Sequence, residues 1–489
     1  VYAATGTSSL SNLVIRQNTA SSNGGGVYNA GSLTLAGATI KGNTATTKGG
    51  GAYVAGGTLT FATTASTIGG SAGNGNTAQN GGGIHIASGT CSTTVATNIS
   101  YNSASTSTSH QGGGGIEVVG GSFISTAVCT LAHNTASNGY GGGITNASKT
   151  ITCWGDMLVT NNTATSTGGG INNTGTLTIH GTSTITNNST TGTSAAGGGI
   201  RNTGTLTMNG AATITGNSTS TTGGGIHNAG TLTIPNGSTL SNNTATTSGG
   251  GLYINSSSGT TTIIGTSIAG NQANGTATTN GGGGIYIEQG TVNFNTTAST
   301  IGGSGTPNTA TNGGGVYLAG GTCSTNVATS VSYNTASTNG GGLYLNGGTL
   351  VVSATGTDSL KITNNTATSG GGGVYLAGGT INNTTANMSV SSNRAANGGG
   401  IYSAGTTTMT NGGVIRSNTA TSNGGGLYHT TGTLTSNHVH IAHNTATSTG
   451  GGLYLNSGNL YLNSTTLNTF LPPDNIIIIY NIIRREKCI

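Results

Sequence analysis

Acid–base chemistry on a substrate needs carboxylates in pairs, and this chain has six Asp and Glu in 489 residues. Glu117, Asp156, Glu288 and Asp358 are scattered along it, and Asp474 and Glu486 sit near its C-terminus. Two carboxyl groups acting on one glycosidic bond must stand roughly 5–10 Å apart, and nothing in this spacing brings two together. Calcium-binding repeats require an Asp in every repeat, which is absent. The glycine triplets are followed neither by Lys-Ser/Thr nor by a helical pattern, so they are not phosphate loops. His438, His440 and His443 are the best metal candidates. His438 and His440 alternate on a strand and share a side, but without a third ligand they read as solvated surface residues. Of five cysteines, Cys129 and Cys153 fall in neighbouring repeats and are the one pair that could bridge; buried free thiols are the plainer reading. The expectation is a protein with no catalytic site, no metal and no cofactor.

Two other residue types recur on schedule. Tyr253, Tyr286, Tyr317, Tyr344, Tyr375, Tyr402, Tyr428 and Tyr454 occupy the same place in eight successive repeats. Each follows an aliphatic residue expected to face inward, so each is expected to face out. An outward aromatic file is a contact surface for a glycan or a neighbouring molecule, or it stabilises the sheet by stacking on itself. In the first half the same place holds Tyr28, Tyr53, His85, Glu117, Thr145, Asn172, Asn202 and His227. The second type is Thr-x-Thr flanking an inward Leu, at Thr58/Thr60, Thr176/Thr178, Thr205/Thr207 and Thr231/Thr233. A flat array of such pairs is similar to the ice-facing sheet of solenoid antifreeze proteins, although Ser122-Phe123-Ile124 and Thr349-Leu350-Val351 interrupt it.

What positions these residues is a repeat. Triple glycines begin at Gly24, Gly49, Gly81 and on to Gly450, 16 in all, 25 to 32 residues apart. A fixed period in this range means a solenoid whose rungs stack on one another. After the glycines comes an aliphatic residue, as at Val27, Ile84 and Leu453; then a Thr-Leu-Thr-aliphatic run, as at Thr176–Ile179; then an aliphatic three residues before Asn, as Ile15 before Asn18. Period-two alternation puts these aliphatics on one side of short strands. Three strands per rung give an all-β fold, a right-handed parallel β-helix of about 16–17 rungs of ~28 residues. Gly supplies the tight corners, and the recurrent Asn can hydrogen-bond to the Asn of the next rung.

Residues 1–468 read as this β-helix, in two ~230-residue blocks of eight rungs. The duplication shows in Thr63–Ile84, which returns as Thr297–Val316, and in Cys91 and Cys323. Residues 469–489 depart from it. Pro472 and Pro473 end the pattern, and Ile476, Ile477, Ile478 and Ile479 form an apolar strand expected to cap the last rung or to dock onto another subunit. With Val1 and Tyr2, which match the pair after each glycine triplet, they are the expected assembly ends.

Charged residues make up only 3% of the chain, and the net charge of +5 owes much to Arg484, Arg485 and Lys487. No basic stripe points to nucleic acid, and no apolar run is long enough to span a membrane as a helix.

The pairing of Gly-Gly-x-aliphatic with x-x-Asn in each rung, as in Gly142-Gly143-Ile144, Gly399-Gly400-Ile401, Ile15-Arg16-Gln17-Asn18 and Ile441-Ala442-His443-Asn444, resembles the passenger repeats of chlamydial polymorphic outer-membrane proteins and related β-helical adhesins. Gly stands where that family has Ala, and Ile, Leu or Val where it has Phe. The resemblance implies a surface β-helix. Read with the near absence of charge and the block duplication, it leads to an extracellular or cell-surface structural protein. Its expected partners are copies of itself, head to tail or side by side in a fibre or layer. Glycan binding through the Tyr file and ice binding through Thr are the alternatives.

Overall fold

The computed structural model describes residues 1–105, 112–355, 359–384 and 388–463. The expected capping segment, with Ile476 to Ile479, lies outside them, as do Asp358, Asp474 and Glu486. The chain forms two compact units, Val1–Gly275 and Thr276–Ile489. Each is a parallel β-solenoid, and no helix occurs among the described residues.

One rung of the first unit shows how the residues make a turn. Ile171–Asn173, Thr176–Ile179, Ser183–Thr186 and Ser189–Thr190 follow in order. The next rung pairs with them in parallel, Ile171 opposite Ile200, Leu177 opposite Leu206, Ile185 opposite Ile214 and Ser189 opposite Ser218. The inward-pointing members of these strands, Ile171, Leu177, Ile179 and Ile185, are fully buried. Three sheets result. The first two strands of each rung belong to one sheet, the third to a second, and the short Thr-Ala or Ser-Thr segment after the Asn, a fourth strand beyond the three expected, makes the third. The second unit repeats the plan, with Val316 opposite Leu343, Cys323 opposite Leu350 and Val331 opposite Ile362.

The corners explain the glycines and asparagines. Gly197 has a φ of 69°, which an L side chain rarely adopts. Gly198 lies so close to the next rung that a Cβ there would sit 2.4 Å from the Ser218 carbonyl oxygen. The Asn before each short strand is buried and bonds along the stack. Asn188 donates from Nδ2 to Asn217 Oδ1 at 3.0 Å and to the Val159 carbonyl at 2.9 Å, and its Oδ1 accepts from the Asn162 backbone and side chain. In the second unit the same chain runs from Asn308 through Asn334, Asn365, Asn393 and Asn418 to Asn444. The sequence also conceals a second ladder: Asn146, Asn173, Asn202 and Asn228, third in the post-glycine strand, point inward and join at 2.7–2.8 Å. Each ladder removes buried amides from the list of unsatisfied groups, which is what permits Asn to replace aliphatic residues inside the solenoid. The apolar interior of the second unit has a void of about 20 Å³, lined by Phe294, Val331, Cys323 and Leu343 among others.

Candidate functional site

The second residue of the post-glycine strand forms one file in each unit. In the second unit it is the Tyr file: Tyr286, Tyr317, Tyr344, Tyr375, Tyr402, Tyr428 and Tyr454 stack in sequence with ring centroids 4.7–5.0 Å apart and ring planes within 18°. The rung spacing of a parallel sheet sets that separation, so the rings need only adopt a common rotamer to stack.

The rings leave the strand on the side away from the aliphatic core, as expected, yet they are not uniformly exposed. Tyr286, Tyr317 and Tyr344 are only 7%, 1% and 8% accessible. The arm that leads into the glycines lies over the first two, and their hydroxyls donate to the Thr279 and Thr278 carbonyls. Tyr375, Tyr402, Tyr428 and Tyr454 are half-buried. Burial pushes the phenols of Tyr286 and Tyr375 up to about 12, with the nearby Glu288 adding to the first and neighbouring phenols to the second. In the first unit Tyr253 is buried and packs at a tilt on His227, 5.0 Å away.

The rest of the first unit's file is polar. Register places Arg201, not Asn202, between Asn172 and His227; Asn202 points inward into the second Asn ladder. Within the file His85 Nδ1 lies 2.8 Å from Glu117 Oε2, both side chains fully buried. Glu117 Oε1 also accepts from the Gly112 backbone amide at 3.3 Å, and Tyr53 stacks on the His85 ring. Sequence reasoning missed this pair because it compared carboxylates with carboxylates. The available signal was that both residues occupy the Tyr place, one rung apart. With no accessible surface on either side chain, the pair fills the file. Further along, Arg201 Nη1 donates to Asn172 Oδ1 at 3.3 Å. Neither ring nitrogen of His227 has a partner, and burial, reinforced by Arg201, lowers its pKa to about 3.

The other candidates separate. His438 and His443 lie at corners with φ of 52° and 54°, and His438 Nδ1 bonds to Asn411 Oδ1 at 2.9 Å. No cluster of three metal-ligating side chains occurs among the described residues. Cys129 and Cys153 are unbonded, as are Cys91 and Cys323; burial raises the thiols of Cys91, Cys153 and Cys323 to about 12. Thr176, Thr205 and Thr231 align in register as an exposed file, with half-buried Thr178, Thr207 and Thr233 beside it. Of the expected assembly ends, Val1 and Tyr2 are exposed, and the Tyr2 ring stacks on Tyr28.

Another surface feature went unremarked in the sequence. Trp154, the only tryptophan in the chain, projects from the corner between the second and third strands of its rung. It is 56% exposed and stacks on His180 with centroids 3.9 Å apart.

Residues 359–377 match the family model described as the Chlamydia polymorphic membrane protein repeat. The match covers one structural rung step: the strands Leu360–Thr363, Thr366–Ala367 and Val374–Leu376, with Asn365 and the glycines between them. No curated protein and no solved structure matches the chain. In fold and in repeat, the chain resembles the β-helical repeats of the polymorphic membrane proteins.

Proposed function

We infer that this chain is a surface-displayed, adhesin-like repeat protein that acts by binding rather than by catalysis. The observation that carries the reading is the coincidence of the matched repeat, residues 359–377, with a structural rung whose pattern recurs through both units. A solenoid of this kind offers long files of identical side chains, suited to extended or repetitive ligands. The contact face is assigned to the half-buried end of the Tyr file, Tyr375, Tyr402, Tyr428 and Tyr454, where the residues are partly accessible in an order that stacking already fixes.

The test is adhesion of beads coated with the chain to epithelial cells and to a glycan array, with Tyr402→Ala and Tyr428→Ala alone and together. The reading expects binding by the native chain and at least a tenfold loss in the double variant. Native binding that the double variant leaves unchanged would remove the Tyr face. Absence of binding to any cell or glycan would remove the adhesin reading itself.

A further inference from the structure

The exposed corner at Trp154 belongs to neither Tyr nor Thr file, and its chemistry is specific. Three successive rungs place Thr126, Trp154 and His180 one after another: the Trp154 amide donates to the Ser125 carbonyl and the His180 amide to the Cys153 carbonyl. His180 therefore backs one face of the indole, the planes within 7° of parallel. The preceding rung has only Thr126 at this place, and no ring stacks on the opposite face among the described residues.

The indole is also held from below. His180 Nδ1 lies 3.1 Å from Asn209 Nδ2, which fixes the imidazole plane. Asp156, on the same corner, accepts from the Thr182 amide at 2.9 Å through one oxygen and is otherwise exposed. Val128 beside it is 45% exposed. A flat aromatic face, oriented by a stacked partner, open on the side of the Thr126 hydroxyl and with the exposed Asp156 carboxylate on its own corner, matches a six-membered sugar ring. The axial C–H face of the ring lies on the indole, and its equatorial hydroxyls reach these polar groups.

The geometry points to a saccharide-binding site on the open face of Trp154, with Thr126 and Asp156 beside it and His180, held by Asn209, behind the indole, taking a neutral pyranose unit. The Asp156 carboxylate selects against sulfated or uronic-acid sugars by like-charge repulsion. The site is independent of the Tyr file and does not rest on it.

The single tryptophan makes the site its own reporter. The full chain is titrated with neutral tetrasaccharides (cellotetraose, laminaritetraose and chitotetraose) and with a heparin tetrasaccharide, following Trp emission and acrylamide quenching. At least one neutral sugar is expected to shift the emission saturably and to protect the indole, with no saturable response to heparin. By calorimetry or ligand-observed NMR, Trp154→Ala should weaken that sugar at least tenfold, while Trp154→Phe should stay within a few-fold of the native chain. Tyr402→Ala/Tyr428→Ala should leave it unchanged, which separates this site from the Tyr face. The proposal is overturned by silence from every neutral sugar, by preference for heparin, or by undiminished binding in Trp154→Ala. An emission shift that follows protein concentration or added phosphatidylcholine vesicles in place of sugar would also overturn it, since the occupant would then be another copy or a membrane. The emission titration needs only the native chain, so the test stands even if the alanine variant folds poorly.

Discussion

His227 should make the first unit acid-sensitive in a way that one substitution removes. Its two ring nitrogens are buried without partners, although the residue as a whole is half-buried. The nitrogens are what titrate, and protonating either would bury a charge next to the Arg201 guanidinium. The pKa accordingly falls from 6.5 to about 3. A depressed folded-state pKa means that the unfolded chain binds the proton first. The contribution is intact above pH 6.5 and is lost progressively as pH falls toward 3. Each pH unit below 6.5 costs about 1.4 kcal/mol, so the loss by pH 4.5 is about 2.7 kcal/mol. His227→Tyr introduces the residue that the next rung carries as Tyr253, in register with it, and cannot titrate in this range. Urea unfolding at pH 7.5 and 4.5 should show the native chain losing roughly 2–3 kcal/mol more than the variant, other acid-sensitive groups cancelling in the difference. A direct check is the His227 imidazole resonance, which should not move between pH 7.5 and 4.5. A midpoint near 6.5 in the folded chain, or equal acid sensitivity in the variant, would refute the argument.

Further outcomes follow from the same geometry. Asn188→Ala takes the side-chain donor from the Val159 carbonyl and the acceptor from the Asn162 backbone and side-chain donors, while Asn217 Oδ1 keeps the residue 188 backbone amide, and should cost on the order of 2–4 kcal/mol in denaturant unfolding. Glu117→Leu strands the buried His85, whose Nε2 already has no partner, and should cost about 3 kcal/mol. The double change His85→Tyr/Glu117→Tyr, which extends the stack from Tyr53, should cost less than the single one. In an alkaline titration followed at 295 nm, a fraction of the tyrosines that includes Tyr286 and Tyr375 should ionise only near 12, and Tyr286→Phe should reduce that fraction. Val331→Ile, which adds a methyl beside the void in the second unit, should raise the unfolding midpoint, with a gain of up to about 1 kcal/mol if the methyl fits without strain.

The sequence alone determined the repeat, the parallel solenoid and the aliphatic interior. The stacking of Asn on Asn was legible too, since a residue recurring once per rung must meet its own copy in the next rung. Glycine spacing and period-two alternation are local signals, and a solenoid is built of local units whose neighbours are fixed by the period. The tertiary structure decided what covers each file and what lies beside what. Facing away from the core did not make Tyr317 exposed, because the arm before the glycines folds over the ring, and no spacing rule describes that arm. His85 and Glu117 lie 32 residues apart and meet because their rungs are adjacent. Arg201 follows Ile200 directly and takes the outward place, while Asn202, the next residue, faces in, because successive side chains on a strand point to opposite faces. Trp154 looks unremarkable in the short turn Trp154-Gly155-Asp156, and only the stacking of successive corners places His180 behind it.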